Sequence, residues 1–366
     1  MRNSFPHRPP HIAQQSGFGL IEVLVAMAIG LIGMLAIMQA FSMNERYKEN
    51  TVGASGSQTN GSIALFTMER DVRMAGYGIT NSSALGCSTV QYHYDGNYSS
   101  PPGPGGAGAL PTLRLVPVYI EPSDPADLSK PYSITTLASS NAYRTSPATI
   151  TDNMPKTSAE LKVSNGLGFD LGDLAIAMQG TTCSLMEITN IQDPASHYQH
   201  HPTGTYNPPG GVSLLPGYTV GAQVMSLGKP LMRRYEVSSN NLTVADWNML
   251  LTSATPTVLV DEIVNLQAQY GKDSDGDTIV DTYDATMPAS ANEWMQVLAL
   301  RMAVLARGAY ERPAADGTCT ATVTMPTWAG GTIRDPNVTA GDPSCYRYRV
   351  FETTVPLRNM IWRSDR

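Results

Sequence analysis

Apolar residues run almost unbroken from Phe18 to Phe41, and the one charge inside that run is Glu22. As a helix the stretch would be about 36 Å long, enough to cross a bilayer. A polar leader ending in Gly17 precedes it. Beyond Phe41 the pattern changes. Leu65, Met68 and Val72 recur at helical spacing, with Glu69, Arg70 and Arg73 turned elsewhere, which predicts an amphipathic continuation of the helix to about Met74. Gly76-Tyr77-Gly78 is the expected stop. Gly53, Gly56 and Gly61 each weaken the helix by about 1 kcal/mol relative to alanine, so it should be continuous only where packing supports it.

After the helix the period shortens. Strands are expected at 113–120, 173–178, 184–188, 224–227, 232–237, 258–266, 295–306 and 346–353. The Pro/Gly run at 101–106 and the Pro/Gly/His/Tyr-rich stretch at 194–217 read as loops, and Asn240-Asn241 as a turn. A long helix followed by many strands implies an α+β protein, with the helix packed on a mostly antiparallel sheet. The organisation is then a leader at 1–17, a membrane segment at 18–41, an amphipathic helix at 42–75 and a β-rich globular domain at 76–366.

Glu22 is the most informative position. A carboxylate in a membrane helix costs about 2.5–3.5 kcal/mol at the helix centre and marks function by default. The apolar run is too long for an ordinary secretory signal, and no small-residue cleavage site closes it. A plain anchor explains neither Gly17 nor Glu22. Arg2 and Arg8 precede the run and place the N-terminus in the cytoplasm.

Gly17-Phe18 with Glu22 four residues further on resembles the class III signal of type IV prepilins. The resemblance implies cleavage by a membrane peptidase between Gly17 and Phe18, N-methylation of Phe18, and pairing of Glu22 with the terminal amine of a neighbouring subunit. In an apolar filament core each charge would relieve the other, so the pair would select the axial register of assembly.

The 366 residues carry a net charge of −7, which gives no reason to expect nucleic acid or an anionic membrane surface as partner. Arg347, Arg349, Arg358, Arg363 and Arg366 make the C-terminal stretch locally basic, and without an aromatic stacking platform this reads as a solvated face. An even set of cysteines, Cys87, Cys183, Cys319 and Cys345, in an exported chain suggests disulfides. Of the possible connectivities we favour Cys87–Cys183 and Cys319–Cys345, the latter closing a Gly/Pro-rich loop. No Cys-x-x-Cys pair supports zinc.

Asp273, Asp275, Asp277, Asp281 and Asp284 occupy the first, third, fifth, ninth and twelfth places of an acidic loop, the carboxylate spacing of a calcium site. Thr278 stands where the EF-hand turn wants glycine, Asp284 replaces the longer glutamate, and the flanks read as strand. Calcium and a solvated acidic turn both remain open. The His197/His200/His201 cluster could bind a metal, but its Pro/Gly-rich loop favours solvated side chains; His93 is the remaining histidine of the mature chain. No nucleophile elbow, His-Glu-x-x-His pair or phosphate-cradling loop is present, so an enzymatic role has no support.

Three further stretches resemble the PilW-type minor pilins: Glu69-Arg70-Asp71-Val72-Arg73-Met74-Ala75-Gly76-Tyr77-Gly78; Tyr270-Gly271-Lys272-Asp273-Ser274-Asp275-Gly276-Asp277; and Arg349-Val350-Phe351-Glu352-Thr353-Thr354-Val355-Pro356-Leu357-Arg358-Asn359. The resemblance implies a pilin-like fold and a low-copy subunit that primes type IV pilus assembly, stays near the tip and supports twitching motility or adhesion. The implied partners are the prepilin peptidase, other minor pilins and the major pilin, with a large tip adhesin and the inner-membrane platform protein as further candidates. The implied location is the inner membrane, single pass with the C-terminal domain in the periplasm, then the surface pilus. Competing expectations are a minor pseudopilin of a type II secretion system and a pilin-anchored, calcium-dependent adhesin.

Overall fold

The computed structural model describes residues 19–361, apart from 80–81, 88–89, 96, 99–109, 142–145, 156–159, 209–216, 312–316, 320 and 339–343. The chain divides into two compact units, residues 1–52 and 53–366. One helix, Leu20–Met74, supplies the described part of the first unit and enters the second. In the first unit its side chains are exposed on every side, Leu20 and Phe41 among them. A helix that is apolar all round and left uncovered by the described residues needs an apolar surrounding. Leu20–Glu45 is long and apolar enough to cross a membrane.

In the second unit the helix buries a seam of Ser57, Gly61, Ala64, Met68, Val72 and Ala75. The spacing is helical as expected, but the seam is lined with smaller residues than the sequence pattern singled out, and Leu65 lies at its margin. Gly61 is the extreme case. A Cβ there would stand 2.1 Å from the Phe351 ring, so the glycine serves close packing.

Antiparallel sheets make up the rest. A five-stranded sheet runs in the order Thr257–Asp261, Asn241–Asp246, Leu231–Ser238, Tyr132–Ala138, Val118–Pro122. A C-terminal sheet runs Thr282–Asp284, Ile263–Lys272, Val297–Tyr310, Tyr346–Pro356, and a middle sheet Ala148–Thr149, Gln223–Gly228, Leu174–Gln179, Thr182–Glu187. The largest core joins Ala64, Met68 and Val72 of the helix to Ile134 and Tyr235 of the five-stranded sheet and to Leu300 and Val304 of the C-terminal sheet. The middle sheet serves two cores by alternation. Leu174, Ile176 and Met178 face the largest core, whereas Ala175 and Ala177 face a second one with Tyr198 and Val224. The protein is α+β.

Several sequence expectations need correction. The run at 258–266 is not one strand. Glu262 has φ +58°, and there the chain leaves the five-stranded sheet and enters the C-terminal one; both halves are apolar, so the pattern hides the corner. The strand expected at 113–120 is confined to Val118–Pro122, while Leu113, Leu115 and Val116 are buried without strand pairing. The strand expected at 295–306 is Val297–Tyr310, preceded by a short helix, Ala291–Met295, whose N-cap Ser290 accepts from Glu293 N–H. The 194–217 stretch contains strand His197–Gln199 and a buried His200. The turn sits one residue before Asn240-Asn241, with Ser239 and Asn240 at φ +50° and +62°, as a two-residue hairpin turn requires.

Candidate functional site

Gly17 and Phe18 lie outside the described residues. Glu22 occupies the first turn of the helix, exposed, and its Oε2 accepts from the Gly19 N–H at 3.0 Å. A carboxylate there satisfies an N–H that has no partner within the helix and complements the positive end of the helix dipole.

The other end of the helix is clamped to the sheets. Asp71 is 6 % exposed. Its Oδ2 accepts from Arg233 Nη1 at 2.8 Å and from the Tyr235 hydroxyl at 2.5 Å, and its Oδ1 accepts from Arg70 Nε at 3.3 Å. Burial, and then the neighbouring Asp71 carboxylate, push the Tyr235 phenol above its ordinary range. One turn later Asn359 Nδ2 donates to the carbonyls of Met74 (3.3 Å) and Ala75 (2.9 Å), which the helix itself leaves unpaired. Gly76 N–H donates to Leu137 O at 2.8 Å, and Ser139 N–H to Tyr77 O at 2.8 Å. Gly78 has φ +75°, and a Cβ there would lie 2.7 Å from the Ser139 Cβ. Arg349 bonds Gln58. The stretches 69–78 and 349–359, picked out by resemblance, therefore meet where Asn359 holds the helix end, while Arg349 joins the helix farther back at Gln58.

The acidic loop is a built turn. Buried Asp273 accepts from Gly276 N–H (2.7 Å) and Thr278 N–H (3.0 Å). Asp281 Oδ2 accepts from the Ser274 N–H and hydroxyl at 2.7 and 2.6 Å, and these bonds hold its carboxyl below the usual range. Gly276 and Thr278 both have positive φ. Three of the five expected carboxylates come together: Asp273, Asp275 and Asp281 offer oxygens within 4.8 Å of one another. Asp277 and Asp284 fall outside that group. Asp277 accepts from Ile279 N–H, and Asp284 is on a strand, paired with Lys272 at 2.7 Å. The strand flanks draw the twelfth place away from the loop.

Cys87 is bonded to Cys183 and Cys319 to Cys345. The His197–His201 cluster is less solvated than expected. His93 is buried against Thr205 O, and His200 is buried with its Nε2 unpartnered among the described residues. Burial lowers the His200 pKa to about 4.

Sequence comparison fits this layout. The prokaryotic N-terminal methylation motif matches residues 12–38, and the family model described as type IV pilus-assembly protein W matches residues 218–359. Both matches support a PilW-type pilin. The PilW match takes in Arg233, Tyr235, the acidic loop and Asn359, so it covers the sheet side of the clamp. As a pilus component of this family the chain is a structural protein and not an enzyme. It works with other pilus components in a membrane-associated system. No curated protein matches the chain significantly. Among solved structures, a type IV-like pilin from Thermus thermophilus is similar at 11% identity over 83% of this chain and 96% of that one, with a TM-score of 0.31.

The clamp partners were not legible as such. Asp71 interrupts the apolar seam between Met68 and Val72, and an acid placed inside a buried stripe signals a paired partner elsewhere.

Proposed function

We propose that this pilin is a minor subunit of the complex that primes type IV pilus assembly and stays near the pilus tip. The observation that carries the reading is the methylation motif with Glu22 in the first helical turn, in one chain with a large β domain of PilW type. In this reading the prepilin peptidase cuts between Gly17 and Phe18, Phe18 is methylated, and Glu22 meets the amine of an adjacent subunit. The partners are the other minor pilins and the major pilin, with a large tip adhesin and the inner-membrane platform protein beside them. The subunit waits in the inner membrane, N-terminus in the cytoplasm, until it enters the surface filament. An in-frame deletion strain tests this through counts of sheared surface pili and assay of secreted proteins in the same culture. Loss of pili with normal secretion, restored by the intact gene, supports the role. Normal pili with lost secretion would make the chain a minor pseudopilin of a type II secretion machine.

Calcium at the acidic loop is an accessory part of the proposal, supported by the convergence of Asp273, Asp275 and Asp281. Calorimetry with calcium on the purified chain tests it, and absence of binding heat removes the ion from the reading.

A further inference from the structure

A cleft of about 660 Å³ opens beside the clamp, within the size range of small-molecule sites. Its wall combines cations with aromatic rings. The carboxylates that line it are already engaged. Asp71 is held by Arg233 and Tyr235, Asp246 caps the helix Trp247–Thr252 through Met249 N–H, and Glu187 Oε2 accepts from Tyr206 N–H at 3.2 Å. Among the described residues no carboxylate pairs with Lys229, which is exposed at the rim. Lys229 is therefore the charge left for a ligand, and the half-exposed Arg70 lies in the same wall.

The aromatic part is pre-arranged. Tyr206 lies with its ring centroid 5.2 Å from that of Tyr94, and its hydroxyl accepts from Trp247 Nε1 at 3.0 Å. That bond leaves the Tyr206 O–H proton available to an acceptor. Rings beside hydrogen-bonding groups suit a ligand with an apolar face and a fringe of hydroxyls. The strands Tyr132–Ala138, Leu174–Gln179, Leu231–Ser238 and Asn241–Asp246 in its wall are inner strands, paired on both sides. Of the edge strand Thr182–Glu187 only Glu187 is among the described lining residues, which leaves little edge on which an extended peptide would add as a strand.

We propose that this cleft binds a small acidic saccharide, its carboxylate at Lys229 and a sugar ring against Tyr206. The inference is independent of the pilus role.

Saturation-transfer NMR on the full chain in a zwitterionic detergent tests it, with digalacturonate as the probe, and lactose and acetate as neutral and anion-only controls. The expected result is transfer to the ring protons of digalacturonate, with lactose and acetate at least about tenfold weaker. Lys229→Gln, at an exposed side chain, should lower the affinity about tenfold while the melting temperature stays the same. Tyr206→Phe, which keeps the ring and removes the hydroxyl, should weaken binding less. The proposal is overturned by absence of transfer, by equal binding of acetate, by indifference to Lys229→Gln, or by a short acidic peptide binding in the saccharide's place.

Discussion

The Asp71 carboxylate, inside the buried face of the long helix, accepts the Tyr235 hydroxyl at 2.5 Å across 164 residues of sequence. This contact and the Arg233 bond to the same oxygen tie the helix to the five-stranded sheet. Removing the acid leaves a buried phenol without its acceptor. Arg233 is 45 % exposed and recovers water, so the loss falls mainly on Tyr235. Asp71→Ala should cost about 1–3 kcal/mol, read by denaturant unfolding. The double variant Asp71→Ala with Tyr235→Phe should recover part of it. A wild-type midpoint for Asp71→Ala would show that the clamp contributes nothing.

Two glycines of the same helix should respond in opposite directions. Gly61→Ala drives a Cβ into the Phe351 ring and should destabilise by about 1–3 kcal/mol. Gly56→Ala meets nothing within 4 Å and should stabilise by about 0.5–1 kcal/mol, through helix propensity. Thermal unfolding of the two variants side by side checks the pair, and effects of the same sign would refute the packing.

Acid should weaken the domain through His200. Its folded pKa is lowered to about 4 from 6.5, so the unfolded chain takes up the proton first. Stability is therefore full above pH 6.5, falls as pH drops from there towards 4, and levels off below. The slope corresponds to about 3 kcal/mol over that window. His200→Phe should flatten this part of a stability–pH profile, and an unchanged slope would place the proton uptake elsewhere.

The acidic loop depends on Asp273 whether or not a cation binds. Its buried carboxylate takes two backbone N–H groups, and Asp273→Ala should cost about 1–3 kcal/mol. Asp275→Ala, at an exposed position, should change stability by under about 0.5 kcal/mol in metal-free buffer. Urea unfolding in chelator separates the two, and equal effects would contradict the turn described.

What could be read from sequence was what is local. The apolar run, the Glu22 interruption and the helix stop at Gly76-Tyr77-Gly78 are written in neighbouring residues. Two strands of the C-terminal sheet, Val297–Tyr310 and Tyr346–Pro356, were visible within a few residues of their bounds. Long-range features were not. The corner at Glu262 lies inside a run that is apolar on both sides, because one half serves one sheet and the next half another. Gly61 read as a weak point because its reason, Phe351, is 290 positions away. Asp284 matched the calcium spacing by count, but strand pairing beside Lys272 carried it out of the loop.

The most direct test of the central claim is the fate of Glu22→Ala expressed from its own locus. The purified chain would be checked by mass spectrometry for cleavage before Phe18 and for N-methylation, and sheared pili would be probed for its presence. The account predicts a processed, methylated chain that stays in the membrane fraction and is strongly depleted from pili. Incorporation equal to wild type would contradict the role given to Glu22 and, with it, the assembly mechanism proposed.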